Sequence, residues 1–285
     1  MTVAIEITHL QHTYLLGTLA ERQALADASL VVQQGQLVAL IGPAGAGKST
    51  LLHFCNGLLR PRQPGRVSVL GRDLSGDVDL AALRRDVGLV FQYPHHQLFE
   101  RFVGDDVAYG PRQMGLDEDE VEARVHWALE AVALDSSLFA DRPTLSLSGG
   151  EMRRAAIAGV LATRPRVLVL DEVTTGLDPE GRRQLHALLR RLNRDEGVTL
   201  LFVSNDLDEV AELADEVAVL YQGCTVAQGS TRQVLADPPL LERYGLAAPF
   251  APGLALALRG RGLALRRTPL TPAEAEEELW LAWKG

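Results

Sequence analysis

Gly42-Pro43-Ala44-Gly45-Ala46-Gly47-Lys48-Ser49-Thr50 follows directly on the apolar run Leu37-Val38-Ala39-Leu40-Ile41. The stretch fits G-x-x-x-x-G-K-[ST], the phosphate-cradling loop that joins a buried strand to a helix. A Gly-rich loop alone also caps ordinary strand–helix turns, so the apolar strand in front is what gives the motif its force. The strand is expected to end at Ile41 and a helix to open near Lys48. The glycines between let the backbone fold around a polyanion, with backbone N–H groups and the helix dipole facing the β- and γ-phosphates. Lys48 would reach the terminal phosphates, and the Ser49 hydroxyl would ligate Mg²⁺.

At 285 residues the chain can hold one large domain, or a main domain with a small appendage. An apolar fraction of 47% and a charged fraction of 23% are those of an ordinary soluble globular protein. The net charge of −9 argues against a duplex nucleic-acid surface. Cys55 and Cys224 lie far apart and form neither a disulfide framework nor a metal spacing, which suits a reducing cytosol. The first ten residues, MTVAIEITHL, do not read as a signal peptide, and no run approaches the roughly 18 apolar residues of a membrane span. Service at a membrane would therefore be as a peripheral subunit.

Along the chain, Val3 to Leu10 alternate as a strand, followed by a turn-like Gln11-His12-Thr13-Tyr14. Ala26–Val32 and Leu37–Ile41 read as strands, and Lys48–Leu58 as a helix. Strands follow at Arg66–Leu70 and Val87–Gln92. From Tyr93 to Leu147 strand-like runs vanish and helices are expected at Val103–Tyr109, Asp117–Val132 and Asp135–Phe139, an insertion between strands of the main sheet. Ser148–Ala162 reads as a helix, Arg166–Leu170 as a strand, and Asp178-Pro179 as the cap of a helix to about Asn193. Val198–Val203 is a strand, Asp206 caps Leu207–Leu213, and Gln222-Gly223 joins a hairpin. Strands alternating with helices imply an α/β fold with a mainly parallel sheet, more antiparallel at its beginning and end. After about Pro238 two short helices are expected, the last over Ala273–Trp283 with a capping-box start at Thr271-Pro272-Ala273-Glu274. The main domain is placed at residues 1–237, the helical insertion at about 93–163, and a packing or dimerisation appendage at 238–285.

The apolar strand Val167-Leu168-Val169-Leu170 delivers Asp171 and Glu172 at its C-terminal end, where ligands sit in parallel α/β sheets. One carboxylate can hold Mg²⁺ and the next can polarise water for attack on a γ-phosphate. Leu147-Ser148-Gly149-Gly150-Glu151 opens a helix whose free N–H groups form a second anion site, suited to the nucleotide of a partner subunit; alone it would read as a glycine-rich cap.

The phosphate loop, Gln92 after an apolar strand, LSGGE, LVLDE, then Gly176-Leu177-Asp178 and a strand ending near Asn205 occur in one order. The set resembles the ATP-binding subunits of ABC transporters over residues 1–235, a P-loop NTPase fold. The resemblance implies a head-to-tail dimer holding two ATP molecules between the Lys48 loop of one subunit and the Ser148 helix of the other. It matches Tyr14 to the aromatic residue on adenine, Gln92 to the lever joining γ-phosphate and Mg²⁺ to the membrane subunit, and Asp178 to the loop crossing the dimer. A narrower likeness, to the ATPases of energy-coupling factor (ECF) transporters, lies in Phe91-Gln92-Tyr93-Pro94, His96-Gln97-Leu98-Phe99 and Asp106-Val107-Ala108-Tyr109-Gly110-Pro111. Met152-Arg153-Arg154, Ile157-Ala158-Gly159, the tail beyond Pro238 and the long connection between Tyr14 and Leu25 extend it. It implies a paralogous second ATPase, a transmembrane coupling subunit, and a small substrate-binding membrane protein that captures a vitamin or a cobalt or nickel ion.

Four positions depart from the family pattern. Val173 and Thr175 stand where Pro and Ala are usual, Glu151 replaces the commoner Gln, and Asn205 occupies the switch-histidine position. Asn donates an amide hydrogen bond but neither becomes cationic nor relays a proton. This chain's own site is therefore expected to bind ATP and hydrolyse it slowly. Alternatives are a largely non-hydrolysing partner in an unequal pair, or a soluble ABC ATPase outside transport. Arg153 and Arg154 are read as contacting phosphate or carboxylates across the dimer, or as a solvated face. Tyr93, Phe99 and Phe102 are read as lining a groove for the membrane subunit or as local packing, and His95-His96 as solvated.

Overall fold

A computed structural model describes residues 2–284. In chain order the elements are β1 (Val3–Tyr14), β2 (Arg22–Gln33), β3 (Leu37–Ile41), α1 (Lys48–Cys55), β4 (Arg66–Val69), β5 (Arg72–Asp73), α2 (Leu80–Asp86) and β6 (Val87–Val90). The inserted helical region follows with α3 (Val103–Gln113), α4 (Glu118–Ala131), α5 (Ser136–Phe139) and α6 (Gly149–Leu161). The chain then returns through β7 (Val167–Asp171), α7 (Pro179–Arg194), β8 (Thr199–Val203), α8 (Leu207–Leu213), β9 (Glu216–Tyr221) and β10 (Cys224–Ser230). It closes on α9 (Thr231–Leu235), α10 (Pro238–Arg243), α11 (Phe250–Gly260) and α12 (Pro272–Lys284).

One ten-stranded sheet runs β5-β4-β1-β2-β10-β9-β3-β8-β7-β6. Its β9-β3-β8-β7-β6 part is parallel, while the β5-β4-β1-β2 end and the β9–β10 hairpin are antiparallel. Strands β3, β7 and β8 are buried at every residue, as parallel strands covered on both faces must be. Their alternate side chains serve different cores. Ala39, Ile41, Leu168, Leu170, Leu200 and Phe202 pack with α6, α7 and α8. Val38, Leu40, Val167, Val169, Leu201 and Val203 meet α1 and the antiparallel strands. Phe54 of α1 is fully buried there, and truncating it to Ala would cost about 3–5 kcal/mol.

Several helix starts are set by local side-chain chemistry. Asp117, Asp178 and Asp206 each accept backbone N–H groups at the N-caps of α4, α7 and α8. Ser148 and Glu151 form a reciprocal capping box on α6. At α12 only half of the expected box forms: Thr271 accepts the Glu274 N–H, while the Glu274 carboxylate accepts from Leu270 N–H.

Four local expectations change. Gln11–Tyr14 is strand, not turn, because β1 continues in antiparallel register with β2 through several register shifts. Helix α1 stops at Cys55 rather than Leu58, with Asn56 as its C-cap. The short helix α2 was not anticipated; its one buried side chain, Leu83, leaves no periodic signal. Beyond residue 237 three helices stand instead of two.

Candidate active site

The phosphate loop leaves the buried end of β3 and enters α1 at Lys48. Gly42 sits at φ +155° and Gly47 at φ +104°. A Cβ on Gly42 would lie 2.1 Å from the Leu220 carbonyl oxygen, and one on Gly47 2.5 Å from that of Ala24. Close approach of neighbouring backbone, besides the dihedrals, therefore requires glycine at both. Gly47 offers α1 no side-chain cap, so the first-turn N–H groups stay available to an anion. Lys48 is buried, and its Nζ donates to the carbonyls of Gly42 at 2.7 Å and Pro43 at 3.1 Å. Burial lowers the Lys48 pKa, opposed by the charges of Glu172 and Asp171.

The last residue of β7, Asp171, is only 4% exposed. Burial raises its pKa against the opposing hydrogen bond from Ser49. Its Oδ1 is buried and has no hydrogen-bond partner. An orphaned carboxylate oxygen beside a serine hydroxyl fits a hard divalent cation, which takes oxygen ligands and completes its shell with substrate phosphates and water. Among the described residues no group of three or more His, Cys, Asp or Glu could hold a metal independently of a nucleotide.

Glu172 leaves the strand direction at φ +49°, a costly conformation for a non-glycine residue and one associated with functional sites. Its N–H bonds the Val203 carbonyl at 3.2 Å, and its own carbonyl accepts from Arg153 Nη1 at 2.9 Å. Its two carboxylate oxygens are divided. Oε1 accepts from Asn205 Nδ2 at 2.7 Å, and Oε2 from Gln92 Nε2 at 3.1 Å.

A cleft of about 300 Å³ joins Tyr14, Arg22, Ala24, the loop 44–50, Gln92 and Glu172. The Tyr14 hydroxyl lies 3.3 Å from Thr50 Oγ1, and its ring meets His12 edge to face at 4.5 Å. Arg22, not anticipated from the sequence, faces the loop: its Nη2 is 3.7 Å from where a Gly45 Cβ would stand. The signal for it is the pairing Tyr14↔Arg22, legible only once Gln11–Tyr14 is recognised as strand. A second cleft of about 730 Å³ adjoins the first, lined by residues 42–44, 174–176, 204–208 and 245–249 with Arg182. Asn205 belongs to this one. The Phe250 N–H pins the tail to α8 by donating to Asp208 Oδ1 at 2.8 Å.

A family model described as ABC transporter matches residues 25–175. The energy-coupling factor transporter ATP-binding protein EcfA2 of Clostridium perfringens is 41% identical over 278 residues, 97% of each chain. That of Symbiobacterium thermophilum is 48% identical over 265 residues, 93% of this chain and 91% of the relative. The chain belongs to the ATPases of energy-coupling factor ABC transporters.

Solved structures agree with this ECF ATPase in fold. cbiO1 of Clostridium perfringens, part of the ABC transporter complex cbiONQ, superposes with TM-score 0.74 at 33% identity, covering 91% of this chain and all of that one. The ATP-binding cassette MJ0796 in a dimeric post-hydrolysis state with ADP and Pi gives 0.74 at 26% identity, over 80% and 99% of the chains.

Two sets of sequence-predicted residues stand apart from the cleft between Tyr14 and Glu172. Ser148, Gly149, Gly150 and Glu151 do not line it. Ser148 accepts the Glu151 N–H, and Glu151 is also paired with Arg142 at 2.9 Å. Asp178 caps α7 through Gly181 N–H at 2.9 Å. Within this chain Arg153 Nη1 donates to the Glu172 carbonyl, and Arg154 Nε is buried without a hydrogen-bond partner. Tyr93 and Phe99 are exposed, Phe102 is half-buried, and His95 and His96 are exposed beside Tyr93.

Proposed function

We propose that the chain is one of two paralogous ATPases of an ECF importer, and that its own ATP site is the slower of an unequal pair. The observation carrying this reading is the Glu172 carboxylate, bonded by Gln92 on one oxygen and by Asn205 on the other. ATP would enter with adenine against Tyr14 and its phosphates over the loop 42–50. Lys48 would exchange its bonds to the Gly42 and Pro43 carbonyls for phosphate oxygens. Asp171 and Ser49, with Gln92 beside them, would hold Mg²⁺. When bound, that cation neutralises charge on the phosphates. Glu172 would orient the attacking water and accept its proton, and Asn205 would hold Glu172 and donate to the γ-phosphate side. An asparagine cannot relay the proton, which is the ground for slow turnover.

Ser148, Gly149 and Gly150 would close on the partner's nucleotide, with Glu151 stabilising that helix start and Asp178 on the loop across the dimer. The names of the relatives and the dimeric MJ0796 cassette support such an assembly. A transmembrane coupling subunit would dock near Gln92, Tyr93 and Phe99, and a small membrane protein would bring a vitamin or transition-metal ion. The location follows: peripheral, at the cytoplasmic face. Among the described residues no helix is long and apolar enough to cross a membrane. The division proposed is an ATPase domain over 1–237, its helical part about 93–163, and an appendage at 238–285.

The test is hydrolysis by the purified chain alone, with its partner, and as Asn205→His. The reading expects slow turnover alone, a large gain with the partner, and a gain from histidine. Full-rate hydrolysis by the isolated homodimer, unchanged by the substitution, would refute it. ATP binding without any turnover at this site beside the partner would point instead to a non-hydrolysing subunit.

A further inference from the structure

Behind Glu172 and Asn205 lies a polar cluster that the ATP cleft does not use. Glu209, on α8, is 4% exposed, and among the described residues no Lys or Arg pairs with it. Its Oε1 faces His186 Nε2 on α7 at 2.7 Å. Its Oε2 accepts the Thr174 hydroxyl at 2.9 Å and the Ser204 hydroxyl at 2.5 Å. His186, Thr174 and Ser204 are themselves buried, and the Ser204 hydroxyl also accepts the Asp206 N–H at 3.0 Å.

Stability alone does not account for the cluster. A buried carboxylate is expensive to desolvate, and well-packed apolar residues usually hold such a junction at least as firmly. The positions of its donors are more informative. Thr174 stands two residues after Glu172, and Ser204 immediately precedes Asn205. One carboxylate oxygen therefore ties together the two segments whose side chains meet at 2.7 Å in the site.

We propose that Glu209 is a positioning residue for ATP hydrolysis: by clamping Thr174 to Ser204 it sets the Asn205 amide against the Glu172 carboxylate. His186 anchors the clamp to α7. The inference rests on Glu172 and Asn205 acting on ATP as proposed above. A carboxylate only accepts, so each donor around Glu209 is directed toward it. In Glu209→Gln one of these positions becomes a donor. Turned toward the hydroxyls, the amide deprives one of them of its acceptor; turned toward His186, it requires Nε2 to accept and removes the negative charge that holds both hydroxyls. Misplacement by about 1 Å can cost a hundredfold in rate, while the phosphate loop that binds ATP is untouched.

The experiment uses the complete complex, with the partner's own catalytic glutamate replaced by glutamine so that only this chain's site reports. Turnover at saturating MgATP and affinity for a fluorescent ATP analogue are measured for Glu209→Gln and for Ser204→Ala, which removes the clamp bond to Glu209 together with the acceptor of the Asp206 N–H. The expected result is a tenfold or greater fall in kcat for Glu209→Gln, a smaller fall for Ser204→Ala, and nucleotide Kd within twofold. In an Asn205→Ala background Glu209→Gln should add no further loss. Unchanged kcat in the folded variants, or an equal further loss in that background, would overturn the positioning role. Glu172→Gln separates the two readings. If it abolishes this site's turnover while both clamp variants are silent, only the clamp falls; if it too is silent, the site assignment falls with it.

Discussion

Asn205 Nδ2 and Glu172 Oε1 meet at 2.7 Å, so the residue at the switch position bonds the proposed catalytic carboxylate directly. A hydrogen bond to a charged acceptor contributes about 1.5–3 kcal/mol. If that contribution persists to the transition state, Asn205→Ala should slow this site about tenfold or more, since 1.4 kcal/mol is a factor of ten. Asn205→Asp should be at least as damaging, because it sets a second carboxylate against Glu172. Single-turnover hydrolysis in the complex checks both. An aspartate variant as fast as the parent would show that the amide's donor character is irrelevant.

Arg22 offers a separate prediction about binding rather than chemistry. It is exposed on the rim of the proposed ATP cleft, opposite Tyr14 across the β1–β2 register. Among the described residues no acidic group pairs with its guanidinium. A triphosphate entering over Gly45 would meet that charge. Exposed ion pairs contribute up to about 1 kcal/mol, so Arg22→Ala should weaken ATP binding about fivefold with kcat at saturation unchanged. The loss should shrink in high salt. Titration of a fluorescent ATP analogue at two ionic strengths decides it; a salt-independent loss would implicate packing instead.

What could be read from the sequence, and what could not, follows from how far apart the interacting residues lie. The runs Leu37–Ile41 and Val167–Asp171 are buried on both faces, and continuous apolarity declares such strands without any partner in view. The caps at Asp117, Ser148, Asp178 and Asp206 depend on residues three positions away and were equally legible. Gln11–Tyr14 was not: its polar edge composition carries no alternation, and only pairing with Arg22–Leu25 makes it strand. Arg22 was lost with it. Glu209 draws partners from positions 174, 186 and 204, brought together only by the fold, and the positive φ of Glu172 has no local signature at all.

In the inserted helical region Asp106 yields a pH dependence. Its Oδ2 accepts the N–H groups of Phe99 at 2.8 Å and Glu100 at 2.9 Å. Burial nevertheless raises its pKa above the usual aspartate range. The folded chain thus holds this proton more tightly than the unfolded one. Stability is lost as pH rises from the ordinary aspartate value through the raised one, and the cost is fully present above it. Asn keeps an acceptor for both N–H groups without the charge. Asp106→Asn should therefore melt higher than the parent at neutral pH, and the advantage should fade as pH falls through the raised value. Thermal melts across that range check it, and an advantage independent of pH would exclude the charge as its cause.

The two cysteines supply a probe of ligand-linked stability. Cys55, on α1 behind the phosphate loop, is fully buried, and burial pushes its thiol up to about 12. At pH 8 its thiolate is then only about one part in ten thousand, and the reactive form is the thiolate. Cys224 is half-buried. Iodoacetamide should label Cys224 in the native chain and reach Cys55 only through unfolding. A ligand that binds the folded state alone stabilises it by about 2.7 kcal/mol at a hundredfold excess over Kd. Where labelling follows global opening, saturating MgATP should accordingly slow Cys55 alkylation about a hundredfold and leave Cys224 unaffected. Lys48→Ala should abolish that protection, because the ammonium held over the loop is what the phosphates would engage. Protection of Cys55 by ATP that survives Lys48→Ala would place the nucleotide somewhere other than the cleft between Tyr14 and Glu172.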